Sequence, residues 1–306
     1  MSSTYNRAIL VTGATGKQGG ALIKVLLAEN SGFQILAVTR NSNSPSAQRL
    51  AAKSSDITLV QGDFDDTEAM FKAAEQSTSH PIWGAFSVQV PAFNKNGAAI
   101  EQRQGQAFVD SAIKHGVKYF VYTSVDRHGD SSIKNPTNVP HFASKHHIEQ
   151  HLISKAKGTD MAWTILRPVA FMENFAPGLV GKVFPSAWKV MVKSRPLQLV
   201  ATDDIGVFAA KSFLQPDRFK GQSISLAGDE LTFDEMVKVF KQTTGAEPPR
   251  TWNWVAKLML SISEEMGTMY TFFENEGYAA NIPELRKVHP ELKGLGRWLK
   301  ETRRMA

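Results

Sequence analysis

The 306-residue sequence predicts a doubly wound α/β Rossmann fold on a parallel sheet, followed by a smaller, mostly helical lobe. Three observations carry that expectation. Short segments apolar on both faces recur six times between Ala8 and Leu166, as strands covered on both sides require. Stretches with helical spacing separate them, the alternation of a parallel sheet. A glycine-rich turn joins the first such strand to the first helix.

The elements follow in order. Residues 8–12 (Ala-Ile-Leu-Val-Thr) read as the first strand, and Leu22, Val25 and Leu26 place a helix over about residues 19–29. Residues 35–39 form the second strand, 47–53 a short helix and 57–60 the third strand. Asp65 or Asp66 caps a helix that carries Met70 and Phe71 and runs through Ala74. Residues 83–88 are the fourth strand, about 97–115 a longer helix and 119–123 the fifth strand. A helix lies within residues 140–156, and 163–166 are the sixth strand. After Pro168 the alternation stops. Residues 204–214 read as a helix returning to the sheet and 223–226 as a seventh strand. Thr232 and Glu235 form a capping box ahead of a helix over 233–243. Residues 1–168 are therefore expected to form a nucleotide-binding domain, with segments near 204–228 returning to it. Residues 169–306 form the lobe for substrate or partner.

Composition excludes several classes. Apolar residues make up 42% and charged residues 21%, which is ordinary globular usage. There is no cysteine, so disulfides, Cys-based zinc sites, iron–sulfur clusters and a thiol nucleophile are excluded. No apolar run approaches the ~18 residues of a membrane span. Residues 1–7 show no leader pattern, so a cytoplasmic location is expected, with the nucleus also open and no membrane partner. The net charge is +6, and residues 286–304 hold seven basic residues against two acidic ones. Leu292, Leu295, Trp298 and Leu299 recur there at helical spacing, which predicts a helix packed on a core with a solvated basic face. No nucleic-acid-binding signature is present, so no direct contact with nucleic acid is expected.

Gly13, Gly16 and Gly19 punctuate Thr12-Gly13-Ala14-Thr15-Gly16-Lys17-Gln18-Gly19-Gly20. In a strand–turn–helix context the first glycine permits the turn, the second lets main chain approach a pyrophosphate, and the third lets the helix pack close. The helix N-terminus then meets the phosphates. An NAD site usually has an acid at the end of the second strand. Here Thr39-Arg40-Asn41 has none, and Arg40 offers a planar fork to a 2′-phosphate, with Lys17 as a second cation. The expected cofactor is NADP(H). Asp63 and Phe64 end the third strand beside the adenine, or Asp63 caps the next helix. Ser87, Val88 and Gln89 end the fourth strand where ligands of such sheets lie.

His141 and Lys145 share one face of the helix after strand five. Hydride-transfer enzymes of this architecture often place Tyr and Lys at those positions. Here histidine replaces the tyrosine, as an acid or base near neutrality or as a binding residue only, while Lys145 keeps a ribose-binding role. His147 and His151 lack the intervening Glu of a metal helix, so no metal is expected. No G-x-S-x-G elbow exists.

The glycine turn, Thr39-Arg40-Asn41, Gly62-Asp63, His141-x-x-x-Lys145, Glu173-Asn174-Phe175, Asp204-Ile205-Gly206 and the segment from Phe273 to Tyr278 together resemble the NmrA-like family of atypical short-chain dehydrogenase/reductases. The resemblance runs from Ile9 to about Leu299. It implies an NADP(H)-binding Rossmann domain and a small helical lobe with a cleft between them. It assigns the phosphates to Gly13, Ala14, Thr15, Gly16, Lys17 and Gln18, and the 2′-phosphate to Arg40 and Asn41. Asp63 and Phe64 take the adenine edge, Lys145 the ribose, and Phe171, Met172, Glu173 and Asn174 the nicotinamide half. Some members of the family resemble reductases of quinones, carbonyls or specialised metabolites. Others sense NADP(H) without turnover and bind a regulator protein. An oxidoreductase acting on a small-molecule substrate is the favoured expectation and the sensor the alternative. Phe171, Met172, Phe175, Trp188, Met191, Met269, Tyr270 and Tyr278 are expected either to wall a pocket or to fill the core of the lobe, since Met and aromatic side chains do both.

Overall fold

The computed structural model describes residues 6–89 and 96–305; residues 1–5, part of the segment read for a leader, lie outside that set. The first half alternates as predicted. β1 (Ala8–Val11), β2 (Gln34–Thr39), β3 (Ile57–Gln61), β4 (Ile82–Ser87), β5 (Tyr119–Thr123) and β6 (Ala162–Pro168) are interleaved with α1 (Lys17–Ala28), α2 (Pro45–Ala51), α3 (Thr67–Gln76), α4 (Gly97–Lys114) and α5 (Pro140–Ala156). With β9 (Gln222–Leu226) the strands form a seven-stranded sheet in the order β3-β2-β1-β4-β5-β6-β9. The pairings from β3 to β6 are all parallel. Every residue of β1 and of β5 is buried, which is why they read as unbroken apolar runs. The strand order reverses between β1 and β4, and the carboxyl ends flanking that point are where such sheets take ligands.

Helix α1 starts at Lys17, two residues before the sequence expectation. The Gly20 N–H already bonds the Gly16 carbonyl at 3.0 Å, so Gly16 is the N-cap. Asp66, not Asp65, caps α3, accepting the Ala69 N–H at 2.9 Å. β7 (Ala170–Phe171), α6 (Leu179–Met191), β8 (Leu197–Val200), α7 (Thr202–Leu214), α8 (Pro216–Phe219) and β10 (Asp229–Leu231) continue the chain. α9 (Phe233–Thr244), α10 (Asn253–Ile262), α11 (Glu264–Asn275), α12 (Ile282–Val288) and α13 (Leu295–Met305) complete it. The Thr232–Glu235 capping box on α9 is formed. The small sheet β10-β8-β7 was not foreseen: its strands span two to four residues, too few to show a period.

Two compact units are present. The first comprises Met1–Ser124, Ser144–Leu166 and Ile205–Ile224, the second Val125–Ala143, Arg167–Asp204 and Ser225–Ala306. In the first, Leu10, Leu36, Phe71, Phe108, Phe120 and Ile165 belong to the core between sheet and helices. Helix α7 reaches α1 because Gly206 has no side chain; a Cβ there would lie 2.5 Å from the Ala21 Cβ and 2.6 Å from its carbonyl carbon.

The second unit has its own core, and four of the residues read as pocket wall or lobe core belong to it. Met172, Phe175, Trp188 and Tyr270 are buried in that cluster, with Met191, Met269 and Tyr278 packed against it. Sulfur and aromatic side chains suit packing as well as ligand contact, and here packing takes most of them. The basic terminal segment is also absorbed into this unit. Leu292, Leu295, Trp298 and Leu299 are buried. Lys293 pairs with Asp203 and Glu301, each at 2.8 Å, and Arg297 with Glu291 at 2.6 Å and Glu301 at 2.8 Å. Arg286 donates to the carbonyls of Leu292 and Gly228, each at 2.9 Å. The side chains of Arg303 and Arg304 lie outside the described residues. Among the described residues no helix is long and apolar enough to cross a membrane.

Candidate active site

The glycine turn lies at the strand-order reversal of the first unit. Gly13 has φ +60°, and a Cβ there would sit 2.7 Å from Val88 Cγ1. Both facts demand glycine. Thr12 ties the two strands beside it: its hydroxyl donates to the Phe86 carbonyl at 2.8 Å and accepts the Val88 N–H at 3.0 Å. A Cβ on Gly19 would lie 2.4 Å from the Gly13 carbonyl oxygen, so α1 seats directly on the turn. Ala14 is buried, and Thr15, Gly16 and Lys17 are exposed at the N-terminus of α1, whose free N–H groups and positive dipole end face outward.

Around the turn stand groups suited to an anionic, hydrogen-bonding ligand. The Arg40 guanidinium and the Lys17 ammonium are exposed and engage no described residue. Asn41 shapes the loop after β2, its Oδ1 accepting the Asn43 N–H at 2.9 Å. Asp63 does not cap α3. It closes an Asx turn onto the Asp65 N–H at 2.9 Å and stays exposed. Phe64 packs edge-on against Phe108 with centroids 5.4 Å apart, so one side of its ring serves the core. At the end of β4, Gln89 Nε2 donates to Ser87 Oγ at 2.8 Å. Gln89 Oε1 and Gln18 Oε1 are buried acceptors without a described partner, which is uncommon in a finished interior.

Lys145 lies on α5 in the same unit and is 7% exposed. Its Nζ donates to Glu101 Oε1 of α4 at 2.5 Å, and Ser144 Oγ donates to Glu101 Oε2 at 2.5 Å. One turn further along α5, the fully buried Glu149 accepts a hydrogen bond from Ser124 at the end of β5.

His141, four residues before Lys145, belongs to the second unit. Glu265 of α11 accepts twice through Oε1, from the His141 main-chain N–H at 2.8 Å and from the ring Nδ1 at 2.5 Å. The carboxylate thus satisfies a free N–H at the start of α5 and fixes the Nδ1–H tautomer. Burial raises the Glu265 pKa, but the hydrogen bond and charge of His141 and its main-chain N–H outweigh that and leave it below the usual carboxylate range. A carboxylate depressed in the folded state stabilises above its unfolded pKa, and that contribution is lost as pH falls through the folded one. Glu265→Gln is therefore expected to lower stability at neutral pH and to flatten its decline between about pH 5 and 3, as read from urea midpoints across that range.

The nicotinamide-side residues named from the sequence also lie in the second unit. Met172 is wholly buried, so its side chain serves packing. Glu173 Oε1 accepts from the Thr202 N–H at 3.0 Å and hydroxyl at 2.7 Å, while its Oε2 is buried without a described partner. Phe171 and Asn174 are half-buried. Among the described residues no group of three or more His, Asp or Glu is placed to hold a metal ion, and His151 Nε2 instead meets Asp110 Oδ1 at 2.8 Å.

Glu101 and Glu265 were missed in the sequence. For Glu101 a signal existed: Gly97, Glu101, Gly105, Phe108 and Ala112 repeat at helical spacing and all are buried, so it lies on the inward face of α4. Glu265 reaches His141 across 124 positions, and no local pattern encodes that.

Strand order, crossover helices and a glycine cradle at the reversal point define a Rossmann-type α/β protein. The chain belongs to the NmrA-like family, whose model matches residues 5–299. It is 28% identical over 298 residues to hkm9, an NmrA-like family domain-containing oxidoreductase of Aspergillus hancockii, covering 86% of this chain and 84% of the relative. The fold is similar to that of triphenylmethane reductase from Citrobacter sp. complexed with NADP(H) (TM-score 0.74, 20% identity, covering 96% of this chain and 99% of that one). It is also similar to NmrA, a negative transcriptional regulator, in complex with NADP (TM-score 0.66, 16% identity, 97% and 95% covered).

Proposed function

We propose that this chain is an NADP(H)-dependent oxidoreductase that reduces a small carbonyl, quinone or specialised metabolite. The buried ammonium of Lys145, held by a carboxylate in the unit that carries the glycine turn, carries the reading. Burying an ion pair has a large desolvation cost, and a cation so placed has a function as its simplest explanation.

The residues fit a phosphorylated dinucleotide. Gly13 and Gly19 keep clear a cradle that Cβ atoms would fill. Gln18 Oε1 and Gln89 Oε1 are acceptors awaiting a donor. Arg40, with Asn41 beside it, is unengaged where a 2′-phosphate belongs. Ala14, Thr15, Gly16 and Lys17 would take the pyrophosphate, Asp63 and Phe64 the adenine and Ser87 and Val88 the middle, while the family resemblance assigns Phe171, Met172, Glu173 and Asn174 to the nicotinamide half. When bound, the reduced cofactor supplies the hydride. Lys145 donates to ribose hydroxyls. The hydride on the substrate would be balanced by a proton from Nε2 of His141 in its imidazolium form, which leaves the neutral Nδ1–H tautomer on Glu265.

The oxidoreductase name of the fungal relative and the NADP(H) in the triphenylmethane reductase support this reading. The test is NADPH absorbance with a panel of quinones and aldehydes. Turnover on any of them is the expected result. Tight NADPH binding without turnover would instead favour a cofactor sensor that binds a regulator protein; the likeness to NmrA, a negative transcriptional regulator in complex with NADP, supports a regulatory role of this kind. The internal pairing of Lys293, Arg297 and Arg286 leaves less of the basic segment for docking such a protein. Arg40→Ala is expected to weaken NADPH about 10- to 100-fold, the worth of a charge-assisted bidentate contact, and NADH by less than about threefold. Equal losses in a fluorescence titration would remove the 2′-phosphate assignment.

A further inference from the structure

We propose that Glu101 of α4 is the positioning residue for Lys145, holding the ammonium in the one rotamer from which it meets the nicotinamide ribose. The inference rests on the cofactor-binding reading of Lys145 given above.

The argument begins with Gly105. A Cβ there would lie 2.4 Å from Ile148 Cδ1, so this glycine lets α4 and α5 approach closely. Glu101 is one turn before Gly105 on α4, and Lys145 is one turn before Ile148 and Glu149 on α5. The close approach therefore brings carboxylate and ammonium together at 2.5 Å. Both side chains are sealed from water, with 9% of the Lys145 side chain and 1% of the Glu101 side chain exposed.

The carboxylate is itself fixed. Oε1 takes the lysine proton and Oε2 takes the Ser144 hydroxyl, so both oxygens are occupied and the carboxylate plane cannot turn. A lysine on a four-carbon stem otherwise loses rotamer entropy when it is fixed, and Glu101 makes that ordering part of folding and not of ligand binding. An ammonium has three donors. Glu101 uses one, and the two left suit the vicinal hydroxyls of a ribose.

A purely structural ion pair and a positioning residue differ in one measurable respect. Lys145 acts at the nicotinamide ribose, so loss of positioning weakens NADPH and spares 2′,5′-ADP, which lacks that ribose. Glu101→Gln keeps shape and removes charge. It is expected to weaken NADPH about tenfold in a fluorescence or calorimetric titration and to leave 2′,5′-ADP within about twofold. Ser144→Ala, which frees one carboxylate oxygen, is expected to weaken NADPH by a smaller factor with the same selectivity, and it decides the matter should Glu101→Gln fail to fold. Equal weakening of NADPH and 2′,5′-ADP, or unchanged NADPH affinity in these variants while Lys145→Ala loses it, overturns the proposal. Unchanged NADPH affinity in Lys145→Ala overturns instead the reading of Lys145 on which it rests.

Discussion

Lys145→Ala is expected to remove turnover by two orders of magnitude or more and to destabilise the protein at the same time. The second effect follows from burial. Removing one partner of a buried pair leaves an uncompensated charge, at a cost of about 3–5 kcal/mol. Here that charge is Glu101, whose Oε2 would keep only the Ser144 hydroxyl. Loss of activity in the single variant is therefore ambiguous, because a partly unfolded enzyme is also inactive. The pair Lys145→Ala/Glu101→Gln separates the two. Without its carboxylate the site no longer buries a bare charge, so most of the lost stability returns in urea unfolding. Turnover does not return, because no ammonium meets the ribose. Recovery of activity together with stability would reduce Lys145 to a structural cation.

That ambiguity shows where sequence reading reaches its end. The sheet was legible because its central strands are buried on both faces and read as apolar runs, and because Gly13, Gly16 and Gly19 punctuate the passage from the first strand into the first helix. The α7 return was legible from its apolar period. Arg40 and Lys17 stood out because the argument from charge needs only their position at the end of a strand and within a turn, and both are exposed. The pairing of the His-x-x-x-Lys residues was not legible: the helical repeat marks the inward face on which Glu101 lies but not what it meets there, and Glu265 leaves no local signal. A glutamate on a helix is ordinarily solvated, and packing at Gly105 and Ile148 decides that the partner Glu101 meets is Lys145. For Trp188 and Tyr270 the sequence left two readings open, ligand wall or lobe core, because large apolar side chains serve both; the second unit packs them into its own core.

The glycine turn makes the sharpest contrast between neighbouring positions. Gly19 and Gly20 are adjacent on α1 and identical in type, yet alanine is expected to act oppositely at the two. At Gly19 the new Cβ would meet the Gly13 carbonyl oxygen at 2.4 Å and the Thr12 carbonyl oxygen at 2.8 Å. Both contacts are to backbone, which cannot rotate aside. Helix α1 must then move off the turn, at a cost of about 1–3 kcal/mol. Its N-terminal N–H groups move with it, away from the positions that Gly13 and the β4 edge define for a pyrophosphate. NADPH affinity is expected to fall on the order of 100-fold, since several charge-assisted contacts are lost together. At Gly20 the nearest atom to a new Cβ is the Ala14 carbonyl oxygen at 3.5 Å, an ordinary contact. There alanine relieves the entropy of an interior helical glycine and is expected to stabilise by about 0.5–1 kcal/mol with NADPH binding unchanged. Thermal unfolding and NADPH titration on the two variants read both effects. Wild-type NADPH affinity in Gly19→Ala would mean that the phosphates do not lie on this turn, because no path exists for the Cβ that leaves the helix N-terminus in place.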